Sequence, residues 1–386
     1  MQIPAIKEAF EMGLKVIVVD YNPDSEGIKM AHFPLLVSTR NIDMAVMKAR
    51  EFHNRHPVDG VITVGTDASK TVAAVANALK LPGIRFEVAE RATNKIKMRQ
   101  RLRKKGVPVP DFYGVWNLDE AKEAMEKLGL PLVIKPADNM GARGVRSVSV
   151  REELIEAFYS AKDASISGEI ILEDFMEGPE LSIDAIVIEK EIFITGVADR
   201  IIEMPPYFIE TGHIMPSALS KKEIDAACRV MCDGIRALGI DTGTAKGDIK
   251  ITPDGVAKVG EIAARLSGGF MSSYTFPLAT GVNLLRAAIK IAIGENSIDL
   301  THQFKKCAIE RAIIPKPGKI LSIEGLDRAG KIKGVAEIIM HKSVGDIMYE
   351  QTSNMDKAGN VIVVGNSREE ALETSQKVLD TIKISV

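Results

Sequence analysis

Residues 248–269 read DIKITPDGVAKVGEIAARLSGG, and this stretch decides how the fold is interpreted. Two alternating apolar–polar segments flank 252–255, whose residue types favour a turn, so the pattern predicts a β-hairpin. A hairpin with an even loop places Asp248 directly opposite Glu261, about 5 Å away on one sheet face. Two such carboxylates repel each other unless a cation lies between them, and Mg²⁺ is a cation that carboxylate and phosphate oxygens bind. The alternative is an ordinary exposed hairpin with a three-residue loop, whose acids lie on opposite faces.

The overall composition limits the classes of protein to consider. The chain has 386 residues, which predicts two or three domains. Its net charge of −2 and hydrophobic content of 46% give no indication of a nucleic-acid or membrane partner, and no apolar run approaches the roughly 20 residues that span a bilayer. Three cysteines in a long chain, and an N-terminus without a signal-peptide pattern, predict a cytoplasmic protein.

The first 91 residues alternate between helical and strand-like patterns, which predicts a doubly wound parallel sheet. The expected elements are a helix that stops at Gly13, a buried strand that ends at Asp20, a helix at 44–50, a strand at 59–64 and a helix at 68–79. A unit of this kind normally begins with a strand, whereas here the first helix starts at Met1. We therefore expect a doubly wound domain that lacks its first strand, or whose sheet is completed by something outside residues 1–386.

A second group of chemically informative residues surrounds Lys135, which lies in the apolar segment LVIKP at 132–136. A lysine in a buried strand loses hydration unless an anion or an acid receives it. The next loop, DNMGARG at 138–144, carries two glycines, and backbone N–H groups of such a loop can close over phosphates. A plain hairpin turn is the alternative, because the Gly-Lys-Ser/Thr of a Walker loop is absent from the sequence.

Two further segments follow along the chain. Residues 170–180, IILEDFMEGPE, read as a strand that breaks at Gly178-Pro179 between Glu173 and Glu180. Backbone released from a sheet there can offer N–H and C=O groups to an adenine edge; an edge strand with surface acids is the alternative. Residues 199–217, DRIIEMPPYFIETGHIMPS, read as a long turn-rich connection, and irregular segments of that length are often functional.

In this order the motifs resemble the ATP-grasp superfamily of carboxylate–amine ligases, over nearly the whole chain. The resemblance rests on Asn-Lys on a helix, Val-Ile-Lys-Pro, a glycine loop, Glu-Asp-Phe-Met-Glu-Gly-Pro-Glu, and paired acids followed by Glu-Ile-x-x-Arg-x-x-Gly-Gly. It implies a mixed α/β and α+β fold in three parts. These are a doubly wound domain at 1–91, an ATP-grasp domain at 92–300 with a small lid at about 108–172, and a β-rich lobe at 301–386.

The resemblance also implies cofactors and residue roles. ATP and Mg²⁺ are the expected cofactors, with Mn²⁺ as an alternative metal. The residues expected to bind ATP are Lys95 and Lys135 on the phosphates, Gly141, Arg143 and Gly144 in the covering loop, Glu173, Phe175 and Met176 at the adenine, and Glu180 on the ribose. The expected metal acids are Asp248 and Glu261, and the expected catalytic cations are Lys135 and Arg265. Asp248 is shorter than the family's more usual Glu, and Ala263 stands where the family often has Asn, so one or two metal ions remain open.

Glu-Thr-Gly-His at 210–213, followed by Met-Pro-Ser, resembles the substrate segment of the L-amino-acid ligases, the branch that joins two amino acids. The substrate residues implied are Glu210, His213, Arg265, Gly268 and Gly269. Glu210 would bind an α-ammonium group, and His213 would contact the reacting carboxylate or take part in the amine's proton transfer. Gly269 stands where that branch can carry a bulky residue, so we expect a roomier or different pocket. The alternative is that His213 caps a turn and Glu210 faces water.

The expected reaction is ATP-dependent amide formation through an acyl phosphate, with small-molecule carboxylate and amine substrates of the amino-acid class. One alternative is a nucleotide-biosynthesis ligase or carboxylase of the same superfamily. The other is an ATP-binding regulatory protein without turnover, a reading that Ala263 favours. A homodimer is compatible with the resemblance, and the sequence identifies neither substrate.

Overall fold

The computed structural model describes residues 2–386 as a mixed α/β structure with one large sheet and several smaller ones. In chain order the helices are α1 (Ile3–Glu11), α2 (Glu26–Met30), α3 (Ile42–His53), α4 (Ser69–Leu79), α5 (Phe86–Thr93), α6 (Lys95–Lys104), α7 (Leu118–Leu128), α8 (Leu154–Ala164), α9 (Lys221–Leu238), α10 (Phe276–Thr280), α11 (Leu284–Ala292), α12 (Leu326–Gly330) and α13 (Arg368–Thr381). None of these helices is long and apolar enough to cross a membrane.

The strands are β1 (Ile17–Asp20), β2 (Phe33–Leu36), β3 (Phe112–Val115), β4 (Leu132–Pro136), β5 (Arg146–Val148), β6 (Ile170–Asp174), β7 (Glu180–Ile188), β8 (Glu191–Glu203), β9 (Ile209–Met215), β10 (Gly243–Ile251), β11 (Ala257–Ala263), β12 (Cys307–Ile313), β13 (Gly318–Lys319), β14 (Ser322–Glu324), β15 (Val335–Met340), β16 (Ile347–Met348), β17 (Gly359–Gly365) and β18 (Lys383–Ser385). A 3₁₀ turn at Arg151–Glu153 and a π-helical turn at Met271–Thr275 complete the described elements.

The N-terminal part contains a parallel pair, β1 and β2, and α1 is its first described element. The sequence analysis missed β2, and its expected strand at 59–64 is wrong. Of that segment only Val64 forms a bridge, and its partner is Leu266 in the loop after β11. The next residue continues the contact, because Gly65 N donates to Leu266 O at 3.2 Å. The segment therefore pairs with the loop after β11 instead of extending the parallel sheet.

The lid is a four-stranded antiparallel sheet in the order β3-β6-β4-β5, covered by α7 and α8. Its core contains Leu132, Ile134 and Leu172 from the strands and Phe158 from α8, all buried. These residues are the alternate apolar positions of β4 and β6, since successive side chains of a strand lie on opposite faces. The buried strand predicted at 132–136 is confirmed.

The large sheet has eight strands in the order β11-β10-β7-β8-β9-β12-β17-β15. One face packs against α9, whose apolar side chains meet the inward residues of β7, β10 and β11. The opposite face carries most of the candidate site residues and is called here the polar face. The C-terminal strands β12, β17 and β15 continue this sheet, because β12 pairs with β9 along Ala308–Arg311.

The expected irregular connection at 199–217 is wrong. Most of it is extended: β8 runs to Glu203, β9 covers Ile209–Met215, and only 204–208 form the turn between them. Apolar residues such as Ile201 and Ile214 pack into the core below the C-terminal strands, which holds these segments in the sheet. The prolines lie outside the two strands, at Pro205-Pro206 in the turn and at Pro216 after β9, and this composition made the whole segment look irregular.

Candidate active site

The hairpin β10–β11 brings Asp248 opposite Glu261, but it does so by a different route from the one expected. Ile251 pairs with Ala257, so five residues separate the strands and the expected even loop is wrong. A bulge at Gly260 then adds one residue to β11 and shifts the register by one position. Because cross-strand partners share a face, both carboxylates lie on the polar face.

Asp248 is buried and holds two cations through one of its oxygens. Its Oδ2 accepts a short bond from Lys246 Nζ and lies 3.0 Å from a terminal nitrogen of Arg200. Its Oδ1 is buried and has no hydrogen-bond partner among residues 2–386. An oxygen of this kind suits a cation, so Asp248 and Glu261 fit a Mg²⁺ site. Since no cluster of three His, Cys, Asp or Glu side chains occurs in that range, such an ion would need phosphate or water oxygens as well.

Glu261 lies among positive charges. Lys95, the first residue of α6, places its Nζ 3.7 Å from Glu261 Oε1 and donates to the carbonyl of Asn139 at 2.6 Å. Burial would raise the pKa of Glu261, but the charges of Lys95, Lys246 and Arg265 hold it at about 2. The carboxylate is therefore ionised at neutral pH, as a metal ligand must be.

The glycine loop lies between β4 and β5 and has a left-handed backbone at Gly141, Ala142 and Gly144. A Cβ on Gly144 would lie 2.6 Å from the Cβ of Ala164, so this turn has no room for a side chain. Arg143 donates to Met140 O at 2.9 Å and lies 3.4 Å from Asp67 of the N-terminal part. Arg143 thus links the glycine loop to the N-terminal part.

Lys135 and Glu173 form a buried ion cluster with Arg99, which the sequence analysis missed. Glu173 accepts from Lys135 Nζ at 2.5 Å and from Arg99 Nε at 2.6 Å, and Arg99 also donates to Gly260 O at 2.5 Å. Burial would raise the pKa of Glu173, but these two cations lower it to about 2. Its carboxylate therefore joins the lid to the hairpin β10–β11 through Arg99, and the contact with adenine expected of this position stays a prediction.

Phe175 and Met176 follow the end of β6 and lie outside both flanking strands, as expected of a segment released from the sheet. The ring of Phe175 lies 6.2 Å from that of Phe208, and Lys250 Nζ is 5.7 Å from its centre. Glu180 begins β7 beyond this break. A Cβ on Gly178 would lie 2.0 Å from the carbonyl oxygen of Ile251, so the break passes close under the hairpin loop.

Arg200 on β8 links the ATP residues to the substrate residues. Its guanidinium makes a short bond to Glu180, lies 3.0 Å from Asp248 and donates to Glu210 Oε2 at 2.6 Å. Three acids from three strands therefore converge on one cation. This arrangement lowers the pKa of Glu180 against the raising effect of burial, because Arg200 and Lys250 stabilise its ionised form.

His213 is completely buried between two carboxylates. Its Nδ1 lies 3.0 Å from Glu310 Oε2, and its Nε2 lies 3.3 Å from Glu210 Oε2, an ion-pair contact without good hydrogen-bond alignment. Burial would lower the pKa of His213, but Glu210 and Glu310 raise it above its usual value. A bulge at Thr211 places Glu210 and His213 on the same face, although they are three positions apart in the strand.

The segment after β11 lies against this pair. A Cβ on Gly269 would be 3.1 Å from Glu210 Oε1 and 3.1 Å from His213 Cε1. Gly269 has φ of +59°, a conformation that favours glycine. Arg265, four residues earlier, donates to the carbonyl of Leu266 at 2.9 Å and lowers the pKa of Glu261, so the structure places the predicted substrate residues beside the predicted metal acids.

Several charged residues of the site were missed from sequence. Lys246 lies in the apolar strand β10 and Arg200 in the apolar strand β8. A charged residue inside such a strand needs an oppositely charged partner, and this criterion, which singled out Lys135, would have found both. Arg99 lies one helical turn after Lys95 on α6 and therefore shares its face. Glu310 lies buried in the apolar strand β12 and meets the same criterion, whereas Asp67 carries no such signal.

Comparison with known proteins agrees with this geometry. Three family models match the chain: an ATP-grasp N-terminal domain at 6–83, an ATP-grasp domain at 128–273, and an L-amino acid ligase C-terminal domain 2 at 311–386. The chain contains ATP-grasp domains. The predicted family, its fold class and its similarity to the L-amino-acid ligases are thereby confirmed, and its enzyme class is that of ATP-dependent carbon–nitrogen ligases.

Individual relatives extend the similarity to nearly full length. The L-arginine-specific L-amino acid ligase of Bacillus subtilis is 24% identical over 85% of this chain and 81% of its own. The crystal structure of an L-amino acid ligase from Bacillus licheniformis matches with a TM-score of 0.87 and 25% identity, covering 99% of this chain and 95% of that one. A phosphoribosylglycinamide synthetase from Anaerococcus prevotii matches with a TM-score of 0.77 and 21% identity over 100% of this chain and 96% of its own, which shows the shared fold.

Proposed function

We propose that this ATP-grasp ligase joins a carboxylate and an amine of the amino-acid class through an acyl phosphate. The observation that carries the proposal is the position of Glu210: the guanidinium of Arg200 contacts both Glu210 and Asp248. Arg200 contacts Asp248 at 3.0 Å and Glu210 at 2.6 Å. An amino acid whose ammonium group binds Glu210 would therefore have its other end close to the metal acids.

Glu210 has one oxygen available for such a contact. Its bonds with Arg200 and its ion pair with His213 both use Oε2, whereas Oε1 faces Gly269. A free carboxylate oxygen attracts an ammonium group and repels a phosphate. This favours an amino-acid substrate over the phosphorylated ribose substrate that a nucleotide-biosynthesis ligase requires.

His213 acts in this proposal as a positioning residue. Both of its ring nitrogens face carboxylates, Nδ1 towards Glu310 and Nε2 towards Glu210, and these carboxylates raise its pKa above its usual value. Because both nitrogens are engaged in this way, His213 fixes the orientation of Glu210 in this proposal. The part in the amine's proton transfer expected from sequence stays a prediction.

The proposed reaction has two steps. The substrate carboxylate attacks the γ-phosphorus of ATP, the bond to the β-phosphate oxygen breaks, and ADP leaves behind an acyl phosphate. The amine then attacks the acyl carbon, the bond to the phosphate oxygen breaks, and the amine proton leaves with phosphate or solvent. Lys95, Lys135 and Arg265 would neutralise the transferring phosphoryl group, and bound Mg²⁺ would supply further charge stabilisation. The glycine loop would exclude water, which would otherwise hydrolyse the acyl phosphate.

Phosphate release with pairs of amino acids tests the proposal. Turnover that requires an added amino acid excludes an ATP-binding regulatory protein, and Glu261→Gln should abolish it. Glu210→Gln removes a charge-assisted contact of about 1.5–3 kcal/mol, so kcat/KM for the amino acid should fall roughly 10- to 150-fold while KM for ATP stays unchanged. The matched control is Glu191→Gln, an exposed residue at the start of β8, the strand whose other end pairs with the strand of Glu210. Equal kinetics of Glu210→Gln and Glu191→Gln would show that Glu210 does not bind the substrate.

A further inference from the structure

Two neighbouring rungs of the hairpin β10–β11 present their side chains on the polar face. Asp248 pairs with Glu261, and one rung further along Lys246 pairs with Ala263. Residues two positions apart in a strand share a face, and cross-strand partners lie side by side. The four side chains therefore form the corners of one small patch: two carboxylates, an ammonium group and a methyl group.

The ammonium group of Lys246 is fixed in this patch. Lys246 is buried and makes a short bond to Asp248 Oδ2, the oxygen that Arg200 also approaches at 3.0 Å. Lys246 also pairs with Asp184 of the adjacent strand β7, so it has a second acidic neighbour in the sheet. Among these four side chains, Asp248 Oδ1 and the Glu261 carboxylate are the oxygens left for a divalent cation, since Ala263 has no oxygen in its side chain.

We propose that Lys246 is a permanent cation of the site and that the nucleotide complex of this protein binds one divalent cation instead of two. The inference rests on the proposed ATP-dependent reaction. A two-metal site holds its ions about 3.5–4 Å apart, and each ion needs its own oxygen ligands. Here the oxygen available for a second ion would be Asp248 Oδ2, which is bonded to Lys246. A second divalent cation at that oxygen would be repelled by the neighbouring ammonium group, and this repulsion is strong in a buried site.

The number of bound Mn²⁺ ions tests the proposal without reference to activity. The full-length protein is saturated with adenylyl imidodiphosphate, whose γ-phosphate cannot be transferred, and titrated with Mn²⁺. Electron paramagnetic resonance counts the free ion and detects the spin coupling of two ions a few ångströms apart. We expect one Mn²⁺ per protein–nucleotide complex and no coupled pair. Two ions in the unmodified protein would overturn the proposal.

Variants separate the effect of Lys246 from that of Ala263. Ala263→Asn alone restores an oxygen but keeps the ammonium group, so it should still bind one Mn²⁺. The double variant Lys246→Asn/Ala263→Asn should bind two. Two ions in Ala263→Asn, or one ion in the double variant, would overturn the proposal. Lys250→Asn is the matched control, because Lys250 lies on the same strand and face with its Nζ 3.6 Å from Glu180, and it should bind one ion.

The same titration separates this inference from the proposed function. A protein that binds no adenylyl imidodiphosphate with any amount of Mn²⁺ would refute both. A protein that binds the nucleotide together with a coupled Mn²⁺ pair would refute only the role of Lys246. If the double variant fails to fold, the counts for the unmodified protein and for Ala263→Asn still decide the question.

Discussion

The buried cluster of Glu173, Arg99 and Lys135 makes a strong prediction about stability. Glu173 and Arg99 are almost completely inaccessible to solvent, with side-chain exposures of 1% and 0%. Replacing Glu173 by Gln removes the only carboxylate that Arg99 bonds and leaves a buried guanidinium with backbone and sulfur contacts at Gly260 and Met98. An uncompensated buried charge of this kind typically costs about 3–5 kcal/mol.

The pKa of Glu173 gives a second estimate, of similar size, for this loss of unfolding free energy. Its pKa falls from 4.5 to about 2, and a difference of roughly 2.5 pKa units corresponds to about 3 kcal/mol. Because the pKa is lower in the folded state, this stabilisation is fully present above pH 4.5 and is lost as the pH falls from 4.5 to 2. At pH 7 we therefore expect Glu173→Gln to lower the free energy of unfolding by about 3–5 kcal/mol.

Urea unfolding at pH 7, followed by the fluorescence of Trp116, measures this loss. Trp116 is the single tryptophan of the chain and directly follows β3 of the lid, so its emission reports the unit to which Glu173 belongs. Glu177→Gln is the control: it lies four residues further on, is exposed, and should change stability by no more than about 0.5 kcal/mol. A loss below about 1 kcal/mol in Glu173→Gln would refute the reasoning that the buried cations depend on this carboxylate.

Two further substitutions test the packing and the ionisation of the large sheet. Gly212→Ala places a Cβ 2.5 Å from the backbone oxygen of Glu310 and should cost about 1–3 kcal/mol in urea unfolding, whereas Gly330→Ala has no atom within 4 Å and should be neutral or slightly stabilising. Burial raises the pKa of Asp184 to about 7, so this group's stabilisation is present below pH 3.8 and is lost as the pH rises to 7, by about 1.4 kcal/mol per unit. Asp184→Asn keeps an acceptor for Ser267 and removes this loss, so its stability relative to the unmodified protein should rise between pH 5 and pH 7.5; parallel pH responses of the two proteins would contradict the assignment.

The sequence predicted elements well wherever one physical signal dominated. The helix at Lys221–Leu238 begins at the capping box of Ser220 and Glu223 and ends before Gly239 with a left-handed backbone, so its bounds follow from local chemistry alone. The strand at 59–64 had the correct apolar pattern but no partner strand to complete it. Its last residue instead meets Leu266, about 200 residues further along the chain, and no local pattern reports such a contact.

Buried cations were the signal most often overlooked. Lys135 was identified because a charged residue inside an apolar strand needs an acidic partner, and Glu173 is that partner. The same reasoning applies to Lys246 in β10 and Arg200 in β8, which bind acids on neighbouring strands. A systematic search for charges at the alternating positions of apolar strands would have predicted both.

The two β-bulges explain why the site could be predicted only in outline. Simple alternation places Glu210 and His213 on opposite faces, and the five-residue loop places Gly260 opposite Asp248. The extra residues Thr211 and Gly260 each shift one strand by one position, which brings the acids and the histidine to the polar face. The bulge at Gly260 has a second consequence, because its carbonyl accepts the bond from Arg99. The irregularity that sets the spacing of the metal acids therefore also joins the hairpin to the buried cluster that holds the lid.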